Sequence, residues 1–312
     1  MQTPETNEAS QTQTSLSEFH SVHLQEDLCK GCTICVTGCP AEAIRVRNGK
    51  AHIIEVKCID CGDCIRHCPS HAKYSFYSHI DELDAYTKTA ALLSPAIYGQ
   101  FNIHYSKAQI HAAFRALGFS DVFDVSEDAL RITKATAKFI LEHKHINEPF
   151  ISCSCPTIIK LIQVRFPSLI DNILPFIPPI ELCARRAKRE LEASANANDT
   201  PCAAKITIAR TPVGYEKTAL TGAFAFDKLY LPLVTALRKM RDEEKKQGTA
   251  LSFYDDASQG ISWERQFGEA DILPIVLNKW KVKIQVKQVH AKLKVQLNRK
   301  CGSSLIGFRL RA

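Results

Sequence analysis

Eight of the 13 cysteines in this chain of 312 residues fall into two runs with the same spacing. Each run reads C-x-x-C-x-x-C-x-x-x-C-P, and the second begins 29 residues after the first. The first run contains Cys29, Cys32, Cys35 and Cys39. The second contains Cys58, Cys61, Cys64 and Cys68. A duplication at a fixed period predicts two similar small units, each built around four thiols.

Zinc, disulfides and iron–sulfur clusters are the alternatives for so many thiols. Zinc sites usually show two C-x-x-C pairs separated by a long gap, which is not the pattern here. A triplet followed by C-P is the spacing of bacterial ferredoxins, in which the fourth cysteine of one run ligates the other cluster. We therefore predict two 4Fe–4S clusters. Their ligands are Cys29, Cys32, Cys35 and Cys68 for one cluster, and Cys58, Cys61, Cys64 and Cys39 for the other.

The net charge of +7 arises from one segment of the chain. Ten of the 40 Lys and Arg residues lie in Ile272–Ala312, which contains no Asp or Glu. The remainder carries 30 basic and 33 acidic residues, a balance of −3. A basic segment can bind nucleic acid by neutralising phosphates. No recognition motif accompanies it, so a nucleic-acid partner is not expected.

The segment Met1–His20 is polar and lacks a basic start followed by an apolar stretch. It predicts a disordered tail over residues 1–20 and no secretory signal. No run approaches the roughly 18–20 apolar residues of a membrane span. Reduced thiols then predict a cytoplasmic protein, in an organism with low exposure to oxygen.

Residues 21–79 predict a first domain of the α+β class. A short strand is expected at Val22–Leu24, and a hairpin is expected around Asn48-Gly49, the strongest turn signal in this region. Residues 79–89, which contain three acidic side chains, predict a short linking helix.

From residue 90 onward the pattern alternates between strand and helix. Strands are expected at Ala90–Leu93, Asp121–Val125 and Phe150–Cys153. A helix follows each of the first two, and Ser126 is the expected N-cap of the second helix. This rhythm predicts an α/β domain with parallel strands, whose functional residues lie at the carboxyl ends of the strands.

Two further cysteine segments lie in this second domain. Cys155 precedes Pro156 at the expected start of a helix, where the helix dipole lowers a thiol pKa and favours metal ligation. A pair of buried thiols, Cys153 and Cys155, is the plainer alternative. Cys202 stands three residues before Lys205, ahead of an expected strand at Ile206–Ala209.

Taken together, these motifs resemble the C-terminal domain of the large subunit of the iron-only hydrogenases, preceded by a bacterial-type two-cluster ferredoxin domain. The resemblance runs from about residue 22 to residue 275. It includes Leu93–Ala96, Pro212–Gly214, Glu216-Lys217, Gly260–Trp263 and Gly268–Ala270.

In that family a cubane is bridged to a diiron unit carrying carbon monoxide and cyanide. The resemblance implies that Cys155 and Cys202 bind a third 4Fe–4S cluster and that Lys205 contacts a cyanide ligand. The predicted catalytic residues of the second domain are Lys205 and Ser154, and its predicted cofactor-binding residues are Cys155 and Cys202.

Three departures from the family weaken the expectation of a diiron unit. Ser154 stands where the family has a proton-passing cysteine, and a hydroxyl has a far higher pKa than a thiol. The run Ile180–Cys183 replaces polar family residues, and Cys183 is interpreted as a structural thiol. The last family loop has two cysteines among glycines, whereas only Cys301-Gly302 is found here.

The predicted organisation has four parts: a tail over 1–20, the ferredoxin-like domain over 21–79, an incomplete hydrogenase-like α/β domain over 80–275, and a basic tail over 276–312. That last part is read either as an exposed strand or as the product of a shifted reading frame or truncated gene. The predicted function is electron transfer with a degenerate hydrogenase-like domain, in redox or hydrogen sensing with redox partner proteins. The alternatives are a catalytic hydrogenase and a nucleic-acid-binding module.

Overall fold

The computed structural model describes residues 20–101, 105–143, 149–191, 195–200 and 202–247. The predicted basic tail 276–312, Cys301 and the segments Gly260–Trp263 and Gly268–Ala270 lie outside the described residues. So does the predicted N-terminal tail, except for His20, which is buried. Within the described ranges, none of the helices combines the length and the apolar character needed to cross a bilayer.

The N-terminal cysteine unit contains two antiparallel strand pairs. Strand β1 (Val22–Leu24) pairs with β4 (Lys73–Ser75), and β2 (Ile44–Arg47) pairs with β3 (Lys50–Ile53). The turn between β2 and β3 places both Asn48 and Gly49 at positive φ, 51° and 71°. This is the backbone conformation that Asn-Gly favours in a two-residue hairpin, so the predicted hairpin is confirmed.

Each cysteine run folds into a loop with a one-turn helix, α1 (Ile34–Thr37) in the first and α2 (Asp63–Arg66) in the second. A 3₁₀ turn precedes each run, at Glu26–Leu28 and Glu55–Lys57. The 29-residue period of the sequence is therefore also a period of the backbone. A further 3₁₀ helix, Ile80–Ala85, connects this unit to the next and confirms the predicted linking helix.

The second unit is built on a four-stranded parallel sheet. Its strands are β5 (Thr89–Leu93), β6 (Asp121–Asp124), β7 (Ala195–Thr200) and β8 (Gly222–Ala225). They lie in the order β6-β5-β7-β8, and each neighbouring pair is parallel. The predicted parallel strands are thereby confirmed.

Helices cover both faces of this sheet. They are α3 (Lys107–Ala116), α4 (Val125–Glu142), α5 (Pro156–Arg165), α6 (Pro179–Leu191), α7 (Ala203–Ile208) and α8 (Phe226–Gln247). Ala91 and Leu93 of β5 pack with α3 and α8, whereas Ala90 and Leu92 pack with α6 and α7. Because successive strand residues point to opposite faces, one apolar strand contributes to two cores. Two 3₁₀ helices, Pro95–Gln100 and Pro167–Asn172, complete the described elements.

Three local predictions are wrong. Phe150–Cys153 is not a strand, because only an isolated bridge joins Ile151 to Ile173. Ile206–Ala209 is not a strand either, because Ile206 to Ile208 form the end of α7. A short apolar run does not distinguish a buried strand from a buried helix. Ser126 is not the N-cap of α4, because the helix begins at Val125 and its N-cap is Asp124, two residues before the predicted position.

Candidate metal centres

The eight cysteines of the two runs line two cavities. The first cavity, called site 1 here, has an empty volume of about 330 Å³ and is lined by Cys29, Cys32, Cys35 and Cys68. The second, called site 2, has about 350 Å³ and is lined by Cys39, Cys58, Cys61 and Cys64. Each cavity therefore receives three thiols from one run and the fourth from the other run. This is the grouping that the spacing predicts.

Backbone N–H groups point at several of the sulfurs. The amide of Ala43 donates to Cys39 Sγ at 3.2 Å, and the amide of Ala72 donates to Cys68 Sγ at 3.3 Å. These two hydrogen bonds are related by the 29-residue repeat. Hydrogen bonds of this kind to cluster sulfurs help to set a reduction potential. Each site therefore has an equivalent backbone hydrogen bond to the sulfur of its fourth cysteine.

Burial controls the acidity of the thiols around site 2. It raises the pKa of Cys58, with a further contribution from Asp60, and it raises the pKa of Cys64 to about 12. At Cys68 in site 1, burial is again the largest influence and opposes ionisation. Hydrogen bonds from Ser70 and from neighbouring backbone amides outweigh it and lower the pKa. Because metal ligands must be thiolates, binding at site 2 must release protons.

The residues of both sites fit an anionic iron–sulfur cluster. A tetrathiolate site with lining amides suits iron–sulfur chemistry. The side chain of Lys73, which lines site 1, is buried, and its Nζ has no hydrogen-bond partner among the described residues. A buried ammonium without a partner is costly, and an anion in the cavity would compensate it.

A buried ionic cluster joins site 2 to the second unit. Asp60 lies between Cys58 and Cys61 in the chain, and its Oδ2 accepts a hydrogen bond of 3.2 Å from Lys160 Nζ on α5. His20 Nδ1 is 2.9 Å from the same oxygen. Burial opposes the ionised form of Asp60, but these two partners hold the pKa of its carboxyl below the usual range. Leu161 also packs on the apolar wall shared with the cysteines of site 2.

The two predicted ligands of the second domain both stand at helix N-termini. Cys155 is the N-cap of α5 and Cys202 is the N-cap of α7, and these helices pack together. Desolvation by the surrounding protein raises the pKa of the Cys155 thiol. The nearby Cys202 raises that pKa further, whereas Lys205 opposes the shift. Cys202 and Lys205 therefore both influence the pKa of the Cys155 thiol.

Site 2 also lies beside this second-domain group. A Cβ placed on Gly62, the residue after Cys61, would lie 3.7 Å from the Cβ of Ala203, the residue after Cys202. Ser21 Oγ of the N-terminal unit also donates a hydrogen bond of 2.7 Å to the carbonyl oxygen of Ala203. The chain thus brings a site 2 cysteine and Cys202 into neighbouring backbone segments.

The remaining residues singled out in the second domain are Ser154, Cys153 and Cys183. The hydroxyls of Ser154 and Ser152 lie 2.8 Å apart and form a hydrogen bond. Cys153 and Cys183 are buried. Burial, with Asp128 next in effect, raises the pKa of the Cys183 thiol well above its usual value. The interpretation of Cys183 as a structural thiol agrees with this environment.

Two parts of the chain match models of known families. Residues 21–69 match the model of the 4Fe-4S dicluster domain. Residues 87–211 match the model of the C-terminal domain of the iron-only hydrogenase large subunit. These two matches support an iron–sulfur redox protein with a hydrogenase-like domain, and they confirm the predicted resemblance to both families.

Solved structures similar to this chain are FeFe-hydrogenases. One variant of HydA1 from Chlamydomonas reinhardtii is 15% identical, with a TM-score of 0.41 over 57% of this chain and 49% of that chain. Another variant is 14% identical, with a TM-score of 0.39 over 58% and 52%. The chain thus spans about half the length of these structures. No curated protein sequence matches it.

Sequence reasoning missed the charged residues around the two cavities. Asp60 occupies the repeat position of Gly31, and Lys73 occupies the repeat position of Ile44. Aligning the two runs on their 29-residue period would have revealed both charges. Lys160 and His20 carry no comparable signal, because only the folded chain brings them to Asp60.

Proposed function

We propose that this protein transfers single electrons through two 4Fe–4S clusters in a ferredoxin-like domain to or from a hydrogenase-like domain. The observation that carries the proposal is the grouping of eight thiols into two four-thiol cavities. Clusters of this kind supply one-electron chemistry. The protein binds them, shields them from water and sets the charge around them.

The second domain is proposed to receive the electrons close to site 2. Support comes from the contact between the segments of Cys61 and Cys202, and from the helix α5, which links Cys155 to Asp60 through Lys160. Cys155 and Cys202 are the proposed ligands of a third 4Fe–4S cluster. Lys205 is the proposed cation beside the group bound there.

A sensing role, rather than rapid hydrogen turnover, is the function we propose for this second domain. Ser154 is hydrogen-bonded to Ser152 and is a poor substitute for a proton-passing thiol. The two-cysteine loop that tethers a diiron unit in hydrogenases is not recognisable in the sequence. The proposed partners are then other redox proteins. None of the described cysteines forms a disulfide, which suits the proposed reducing, cytoplasmic setting.

Metal analysis of the anaerobically purified full chain tests the electron-transfer proposal. We expect about eight irons from sites 1 and 2, at four per cubane, with the EPR signals of reduced 4Fe–4S clusters. A third cluster would raise the count to about twelve, and Cys155→Ala would return it to about eight. Cys183→Ala is the matched control, because this thiol is buried away from both cavities. Zinc in place of iron would refute the proposal.

The catalytic hydrogenase is the second candidate, and it is supported by the influence of both Cys202 and Lys205 on the pKa of the Cys155 thiol. Its test is hydrogen evolution after maturation with the hydrogenase assembly machinery. We expect no activity, or very weak activity. Robust evolution, lost in Lys205→Ala, would favour the enzyme over the sensor.

A further inference from the structure

Lys73 is a buried cation in an unusual place. It begins β4, its residue is only 3% exposed, and it lines site 1. Its Nζ has no hydrogen-bond partner among the described residues. Lysine is almost never fully buried unless it is paired. Lys73 therefore requires a compensating negative charge, and the nearest cavity is one that four thiols surround.

The repeat supplies an internal comparison for this residue. Ile44, 29 residues earlier, is also 3% exposed and lines site 2. The two side chains thus hold the same position in the two halves of the repeat. An apolar residue satisfies this position at site 2, so the fold itself does not need a charge there. The ammonium of Lys73 calls for an electrostatic explanation.

The charged residues that line the two cavities also differ. Among the described residues lining site 1 there are two lysines, Lys30 and Lys73, and no carboxylate. The described lining of site 2 contains Asp63 and no lysine or arginine. Asp63 is paired with Arg66 at 2.7 Å, and Asp60 is paired with Lys160 at 3.2 Å. The charge that distinguishes the two cavities is therefore that of Lys73, whose Nζ has no hydrogen-bond partner among the described residues.

Charge close to a cluster changes the stability of its reduced form. Reduction adds one electron, so a fixed positive charge favours the reduced cluster and a fixed negative charge opposes it. The effect is large for a buried charge, because neither water nor salt screens it well. Lys73 acts on thiols of both cavities, since it opposes the rise in the pKa of Cys35 and of Cys64.

We propose that Lys73 sets the reduction potential of the site 1 cluster above that of the site 2 cluster. An electron from a one-electron donor then reduces the site 1 cluster in preference to the site 2 cluster. The site 2 cluster, which lies between site 1 and the hydrogenase-like domain, is the weaker electron acceptor. This inference rests on the proposed two-cluster function and gives it a direction.

The test is an EPR-monitored redox titration of the full holoprotein with dithionite as the reductant. Lys73→Ile places the residue of the repeat counterpart at site 1, and Lys73→Met keeps the length of the side chain without its charge. We expect the equilibrium constant for reduction of the higher-potential cluster to fall by on the order of tenfold in both variants. This change lowers the reduction potential of that cluster by about 59 mV. The reduction potential of the lower-potential cluster should change less, so the difference between the two potentials should shrink.

Lys30→Met is the matched control. It removes the same charge from the same cavity, but Lys30 is exposed, so its effect should be smaller and should fade as salt is added. The Lys73 shift should persist at high salt. Equal shifts in the Lys30 and Lys73 variants would overturn the inference.

The reciprocal variant Ile44→Lys provides an independent measurement. It introduces the positive charge at site 2 and should raise the reduction potential of the lower-potential cluster. Unmoved potentials in Lys73→Ile and Lys73→Met, in protein that holds eight irons, would overturn this inference alone. A wild-type chain that binds no iron would overturn the proposed function and the inference with it.

Discussion

The two cysteine loops share a backbone and differ in their surroundings. Gly31 and Asp60, one repeat apart, have φ values of 66° and 50°, and Thr33 and Gly62 have 63° and 74°. The loops therefore follow the same left-handed turns. The first loop packs against the Gly49 turn of its own unit, whereas the second is buried against α5 and α7 of the neighbouring unit.

This difference shows how a duplicated motif acquires two roles. The close approach of Gly49 leaves no room for a side chain at position 31, since a Cβ there would lie 2.5 Å from the Gly49 oxygen. The second loop has room for Asp60, which uses a conformation that Asp tolerates better than most residues. Its carboxylate then fixes site 2 to Lys160 of the second unit.

The largest expected effect is the loss of one whole cluster when a fourth cysteine is removed. Cys39→Ala should lose the EPR signal that Cys58→Ala loses, because both thiols line site 2. About four of the eight irons should remain, all at site 1. The measurement is iron content together with EPR. Loss of the same signal in Cys39→Ala and Cys29→Ala would show that the ligands do not cross.

The ion pair between the units should give the next largest effect. Lys160→Met leaves the buried carboxylate of Asp60 with His20 as its remaining partner, and we expect a destabilisation of about 3 kcal/mol. The double variant with Asp60→Asn should recover much of this loss. Urea unfolding, followed by cluster absorbance, completes the double-mutant cycle.

An exposed ion pair is the control for that cycle. Lys138 and Glu142 are 3.7 Å apart, with 67% and 56% of their side chains exposed. Lys138→Met should change stability by less than about 0.5 kcal/mol. Strictly additive effects of Lys160→Met and Asp60→Asn would mean that the two side chains do not act as a pair.

Two glycine substitutions test whether the loops differ in free space. Gly62→Ala should cost about 1–2 kcal/mol for its positive φ, because the new Cβ makes only an ordinary contact with Ala203. Gly31→Ala should cost a further 1–3 kcal/mol or so, because the new Cβ meets the Gly49 backbone. Urea unfolding measures both. Equal costs would contradict the packing difference between the loops.

The smallest effect concerns thiol reactivity after the metal is removed with a chelator. The pKa of Cys68 is lowered, whereas burial raises that of Cys64 to about 12, and the thiolate is the reactive form. At pH 8, iodoacetamide should therefore alkylate Cys68 several-fold faster than Cys64. The rates are read by mass spectrometry of the peptides. Faster labelling of Cys64 would reverse the assigned environments.

Much of the fold follows from local patterns. The spacing of the cysteines implies the two four-thiol groups, and Asn48-Gly49 implies the hairpin. The apolar run Ala90–Leu93 and the segment Asp121–Asp124 both become strands of the sheet. These features depend on φ preferences and on residue periods, which neighbouring residues already determine.

Other features depend on segments that are distant along the chain. The third strand of the sheet is Ala195–Thr200, a polar segment with no strand signal, while the apolar Phe150–Cys153 stays outside the sheet. Ile206 joins a helix because that helix packs on α5 and on the sheet. Tertiary packing overrides weak local propensity in such short segments.

The sequence by itself determined the ligand chemistry and the twofold repeat, since both are written in spacings of a few residues. Only the tertiary structure decided which cavity faces the second unit and where the unpaired charges lie. Lys160 is 100 residues from Asp60, and Lys73, which follows the second cysteine run, lines a cavity with three cysteines of the first run. Long-range burial, which no local pattern encodes, makes the two halves of the repeat electrostatically unequal.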